Sequence, residues 1–216
     1  MRKANLLILL CAAVSLYGWY VDPGFVGAYL AFSGAAFLQG FVWTPFTALF
    51  VHADFAHLLG NMLFLYAFGN ALEEEVGAGR TVAAFFLGGA VSFLLSVPFH
   101  GPEVSMVGAS AAIFTLTAAV MLVKPLRFSW FFLMPLGLVA ILYFLYNSAV
   151  VYLMARGVME SSHVGYVSHV IGFGVGLPLG VAWSPRWVRN LLITMALLAV
   201  YVVLVAMLNS ILGGFT

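Results

Sequence analysis

The chain has 216 residues, 64% of them hydrophobic and 7% charged, where soluble domains carry roughly 45–50% apolar and about 25% charged residues. Eight Lys+Arg and seven Asp+Glu are too few to coat a water-soluble globule, so the surface must face lipid. The net charge of +1 excludes a nucleic-acid binder resting on a basic patch. The single cysteine, Cys11, excludes an intrachain disulfide framework and a cysteine-built zinc site.

A membrane-crossing helix needs roughly 20 mostly apolar residues. Seven stretches qualify: 6–21, 46–68, 81–99, 107–123, 128–150, 164–183 and 190–212. They are continuously apolar rather than alternating, which favours helices over a β-barrel, and the predicted fold class is an all-α polytopic membrane bundle. The first stretch follows Arg2 and Lys3, so a signal peptide competes with a membrane anchor. No small-x-small cleavage site follows it, and Leu10 before Cys11 spoils a lipoprotein box, which favours the anchor. With the N-terminus in the cytoplasm, Arg2, Lys3, Arg80, Lys124, Arg127, Arg186 and Arg189 fall on the inner side and only Arg156 on the outer, in keeping with the positive-inside rule. A prokaryotic cell membrane is the expected location.

The segment 22–45, rich in Phe25, Tyr29, Phe32, Phe37, Phe41 and Trp43, is too long and apolar for a turn and is expected to lie in the outer interface. The second stretch opens with His52 and carries His57 and Asn61 at i and i+4, on one helical face. Such a pair either binds neighbouring helices together or aims two donors at a developing oxyanion. Glu73, Glu74 and Glu75 read as a solvated helix terminus. The fourth stretch begins Gly108-Ala109-Ser110. A Gly-x-Ser tripeptide arises about once by chance in such a chain, so position must decide its meaning. Ser110 is expected at the outer N-terminal end of a helix, where free N–H groups and the dipole favour an anion, although a serine there also serves as a cap or a small packing residue. In the sixth stretch His169, Gly172 and Gly176 share a face, and the glycines admit another helix closely. That face either carries the imidazole to a serine on the next helix or is a packing seam. All five histidines map to the outer half, with His100 and His163 read as solvated.

The chain lacks His-Glu-x-x-His, and its only aspartates, Asp22 and Asp54, sit in or near outer loops, which disfavours a zinc metalloprotease and a buried aspartyl dyad. No span centre carries a carboxylate or lysine for ion-coupled transport.

Taken together, His52-x4-His57-x3-Asn61, Gly108-Ala109-Ser110 and His169-x2-Gly172-x3-Gly176 resemble the rhomboid family of intramembrane serine proteases, and Glu73 to Gly77 with Arg80 resembles the family's turn after the second span. The resemblance implies a single membrane domain over 1–216, with a six-helix core in 1–188 and an added helix in 189–216. It also implies a water-accessible cavity on the outer face and a shortened fourth helix that sets the nucleophile below the membrane surface. It casts Ser110 as nucleophile and His169 as general base. His57, Asn61 and the Ser110 backbone N–H become the oxyanion hole, with His52, Gly108, Phe114, Gly172 and Gly176 in support. Single-pass membrane proteins are the implied substrates and membrane lipid the surrounding partner, with no nucleic acid, metal or cofactor needed. Three residues depart from the family's habit: Ala111 where Gly is usual, Phe114 where Tyr is frequent, and Thr44 where Arg often follows Trp43. With no buried aspartate, ring packing is expected to orient His169. The alternatives are a catalytically silent rhomboid-like binder of membrane proteins, or a solute or metal transporter using the outer histidines.

Overall fold

The computed structural model describes residues 1–21, 23–159 and 165–213. Among them are seven main apolar helices: α1 Lys3–Tyr20, α2 Phe55–Val76, α3 Ala78–His100, α4 Ser110–Val123, α5 Leu136–Ala155, α6 Tyr166–Trp183 and α7 Trp187–Gly213. All but α4 are long and apolar enough to cross a membrane. Large side chains such as Leu9, Leu95, Leu145, Leu192 and Val203 are exposed on the outside of the bundle, as expected of a surface solvated by lipid. The chain is a multi-pass membrane protein with a helical-bundle fold.

Every residue of α4 from Ala111 to Leu122 is buried, and α3, α5, α6 and α7 pack around it. At 14 residues and 1.5 Å per residue α4 is about 21 Å long, short of a hydrocarbon core of about 30 Å. A helix that short cannot span the hydrocarbon core by itself, and it begins at a half-buried residue. Its first residue is Ser110.

The second and fifth spans lie further along the chain than expected, at Phe55–Val76 and Leu136–Ala155 where 46–68 and 128–150 were expected. The second span starts at Phe55, not at residue 46, because Asp54 caps it by accepting a hydrogen bond from the His57 N–H at 2.8 Å. Residues Thr44–Thr47 and Ala48–Phe50 instead form short helical turns before it. His52 therefore precedes α2 rather than opening it. The fifth span starts at Leu136, because residues 128–135 form a hairpin in which β1 Phe128–Ser129 pairs antiparallel with β2 Met134–Pro135. The segment expected in the interface forms short helices, Pro23–Tyr29 and Gly34–Leu38. Thr44, completely buried, donates to the Phe41 carbonyl at 2.8 Å, so its side chain is satisfied locally.

The end of the bundle away from Ser110 carries the charged network. Glu73 accepts from the N–H groups of Lys3 and Ala4 at 2.9 and 2.8 Å, capping the start of α1. Glu74 pairs with Arg2 and Arg127, and Glu75 with Lys124. The acidic triplet thus joins α1, α2 and the α4–α5 connection; Glu74 and Glu75 are exposed, as expected of a solvated terminus, while Glu73 is half-buried as a cap.

Helix α7 is anchored to the same end through Asn190, which is 3% exposed. Its amide donates to the Leu122 and Val123 carbonyls at 2.7 and 3.1 Å, pairing acceptors that the end of α4 leaves open. Asn190→Ala strands these buried carbonyls and is expected to cost about 1–3 kcal/mol. A lowered unfolding midpoint in detergent, with no change in the Ser110–His169 geometry, is the outcome to measure.

Candidate active site

The approach to Ser110 is pinned by backbone. Met106 and Phe32 exchange both of their backbone hydrogen bonds, at 2.7 and 3.0 Å, and the Gly108 N–H donates to the Ala48 carbonyl at 2.9 Å. Gly108 has φ +112°, a conformation that suits glycine. A Cβ at this position would stand 2.7 Å from the His57 ring. The glycine is required twice over, by its backbone and by the imidazole laid against it.

His52 is buried beside this loop. The Ala109 N–H can only donate, so His52 Nε2 accepts it at 3.4 Å and Nδ1 carries the hydrogen toward Ser15 Oγ at 2.9 Å. Ser15 in turn donates to the Phe50 carbonyl, and Trp19 Nε1 donates to the His52 carbonyl. This chain ties α1 to the residue preceding Ser110 and gives His52 a scaffolding place. The His52 and His57 rings meet edge to face, with centroids 5.1 Å apart. Asn61, one turn beyond His57 and buried, donates one amide hydrogen to the His57 carbonyl at 2.9 Å, which leaves its second N–H for another acceptor.

Ser110 and His169 meet. Ser110 Oγ lies 2.7 Å from His169 Nε2, although 59 residues separate them. Ser110 is half-buried, while His169 is 5% exposed. The glycine face of α6 makes this approach possible. A Cβ on Gly172 would stand 2.2 Å from the Ala111 carbonyl oxygen, and one on Gly176 2.2 Å from that of Thr115. Thr115 Oγ1 also donates across the seam to the Gly172 carbonyl at 2.9 Å.

The His169 ring stacks on Phe114 with centroids 4.6 Å apart and planes within 8°, and Phe114 stacks on Tyr143 of α5 at 4.6 Å. Phe114 thus supplies the packing expected of it. The imidazole has a further partner that the sequence reading missed. Asn147 of α5, 1% exposed, sets its Oδ1 2.8 Å from His169 Nδ1. A lone amide in the middle of an apolar span was the available signal. Ring packing is therefore not the only restraint on His169.

Among the other histidines, His100 is half-buried rather than solvated, its Nε2 shielded and without a protein partner among the described residues. His163 and Asp22 lie outside the described residues.

A hydroxyl held against a neutral imidazole can be deprotonated as it attacks an electrophile, and α4 presents its first N–H groups beside it, with an N-cap, Ala109, whose methyl side chain cannot accept from them. The model of the rhomboid domain matches residues 39–186. The chain belongs to the rhomboid family. This rhomboid is 34% identical over 145 residues to RHOMBOID-like protein 1 of Arabidopsis thaliana, covering 67% of this chain and 35% of that protein. Over 83 residues it is 40% identical to the chloroplastic Rhomboid-like protein 11 of the same plant, covering 38% of this chain and 30% of that protein. Rhomboid protease GlpG of Salmonella typhi is 27% identical over 97 residues, covering 45% of this rhomboid and 35% of GlpG. The chain spans about a third of the length of these curated relatives. All three site segments of this rhomboid fall within the matched residues, whereas α7 lies beyond them.

Proposed function

We propose that this rhomboid is an intramembrane serine endopeptidase in which Ser110 is the nucleophile and His169 the general base. The observation that carries the reading is the 2.7 Å contact between a half-buried hydroxyl and a buried imidazole nitrogen, at the start of a helix too short to reach the membrane surface. As Ser110 Oγ bonds to the scissile carbonyl carbon, its proton passes to His169 Nε2. The C–N bond then breaks, the amine leaves with that proton, and water hydrolyses the remaining ester with His169 again as base.

The charge that develops on the carbonyl oxygen is met by the Ser110 N–H, the free amide hydrogen of Asn61 and His57. Asn61→Ala is expected to lower kcat by about 10²–10³-fold without abolishing cleavage. Six helices, α1 to α6, form the working core in this reading, and α7 is an addition that braces α4.

The substrates are single-pass membrane proteins. A stable helix hides its carbonyls, so the scissile segment must unwind, and small or helix-breaking residues make that cheaper. The basic end of the bundle faces the cytoplasm with the N-terminus, and the Ser110 end opens on the opposite side. The test is cleavage of a model membrane substrate by purified protein in detergent. Wild type is expected to cut, and Ser110→Ala and His169→Ala are not; equal cleavage by all three overturns the proposal.

A further inference from the structure

We infer that Asn147 is a positioning residue that fixes which nitrogen of His169 carries the hydrogen. The inference rests on the Ser110–His169 reading and deepens it. Neutral imidazole has two forms, and only the one with hydrogen on Nδ1 leaves Nε2 a free lone pair for the Ser110 proton. The opposite form would point an N–H at Ser110 and could not act as base.

The direction is set outside the ring. Asn147 Nδ2 lies 2.7 Å from the Tyr143 carbonyl, which can only accept, so the amide nitrogen must face it. Oδ1 is thereby turned toward His169 Nδ1 at 2.8 Å, and an oxygen there demands a hydrogen from the ring. A flipped amide would leave the Tyr143 carbonyl without this donor and present an N–H to Nδ1, selecting the inactive form. The contacts therefore run one way, from Ser110 Oγ–H to His169 Nε2, from His169 Nδ1–H to Asn147 Oδ1, and from Asn147 Nδ2–H to Tyr143, across α4, α6 and α5.

The stack of Tyr143, Phe114 and His169 holds the plane of the imidazole. A half-turn of the ring about its Cβ–Cγ bond leaves that plane unchanged but exchanges Nδ1 with Cδ2 and Nε2 with Cε1, and stacking has no means of opposing it. The hydrogen bond to Asn147 does. An amide also suits the setting better than a carboxylate, because it offers an acceptor without the cost of a charge buried within a membrane bundle. Metal-bound histidines that lose a comparable hydrogen-bond partner typically lose about 10–100-fold in activity, and a loss of that order is expected here.

Two measurements test the inference. In wild-type protein labelled with ¹⁵N-histidine, with the signals assigned by their loss in His169→Gln, neutral His169 is expected to show a protonated Nδ1 and an unprotonated Nε2. The reverse form overturns the inference without any variant at Asn147. In cleavage assays Asn147→Leu, which keeps the volume but loses the acceptor, is expected to lower kcat by about 10–100-fold with KM unchanged. Ser110-dependent cleavage with a wild-type kcat in Asn147→Leu overturns this inference alone, whereas cleavage that survives Ser110→Ala overturns it together with the reading beneath it.

Discussion

Ser110→Ala is expected to abolish cleavage, with a loss in kcat of about 10⁶-fold if the serine and histidine act as a unit, as they do in soluble serine proteases. A serine-directed phosphonate is expected to leave one covalent adduct on the wild-type protein, at Ser110, and none on the variant. The substitution removes one oxygen from a half-buried position, so the unfolding midpoint in detergent is expected to stay close to wild type. His169→Ala makes a less clean comparison. It removes a ring stacked on Phe114 and leaves Asn147 Oδ1 unpaired, so activity and stability are expected to fall together. The diagnostic result is therefore the adduct: labelling of another serine, or of Ser110→Ala itself, removes Ser110 from the chemistry.

Much of this arrangement was legible in the sequence because its causes are local or periodic. The apolar runs gave the helices, since lipid admits few other solutions, and His169, Gly172 and Gly176 shared a face by spacing alone. Hydropathy failed where apolar residues serve the interface instead of a span. Residues 46–50 form short turns, and Phe128 to Pro135 form a hairpin, yet both read as continuations of the adjoining helices. Asp54 was the missed punctuation for the first of these, as a cap three residues before His57. Asn147 stood out as a lone amide in an apolar span, but its role was illegible for a different reason. Its partner lies 22 residues away on another helix, and no pattern within α5 states which neighbour its face will meet. The same holds for Glu73, which nothing in the run set apart from the exposed Glu74 and Glu75 until α1 supplied the N–H groups it caps.

The glycine seam offers the sharpest structural contrast, because three glycines of one helix face three different surroundings. Gly174→Ala is expected to be harmless or slightly stabilising, since no atom beyond its own turn of helix backbone lies within 4 Å of its added methyl and alanine is the better helix former. Gly176→Ala meets the Thr115 carbonyl oxygen at 2.2 Å and the Ala118 methyl at 2.8 Å. Backbone cannot yield as a side-chain tip can, so α6 must retreat, and overpacking of this kind costs roughly 1–3 kcal/mol. Gly172→Ala drives its methyl onto the Ala111 carbonyl oxygen at 2.2 Å, between the residue after Ser110 and the turn that carries His169. Its effect is expected to exceed the loss of stability, because a shift of about 1 Å between reacting groups can cost about 10²-fold in rate. The order of kcat measured on folded protein should therefore run Gly174→Ala, Gly176→Ala, Gly172→Ala from highest to lowest. An active, stable Gly172→Ala would mean that α6 does not press its backbone against α4, and the Ser110–His169 contact would then lose the packing that brings it about.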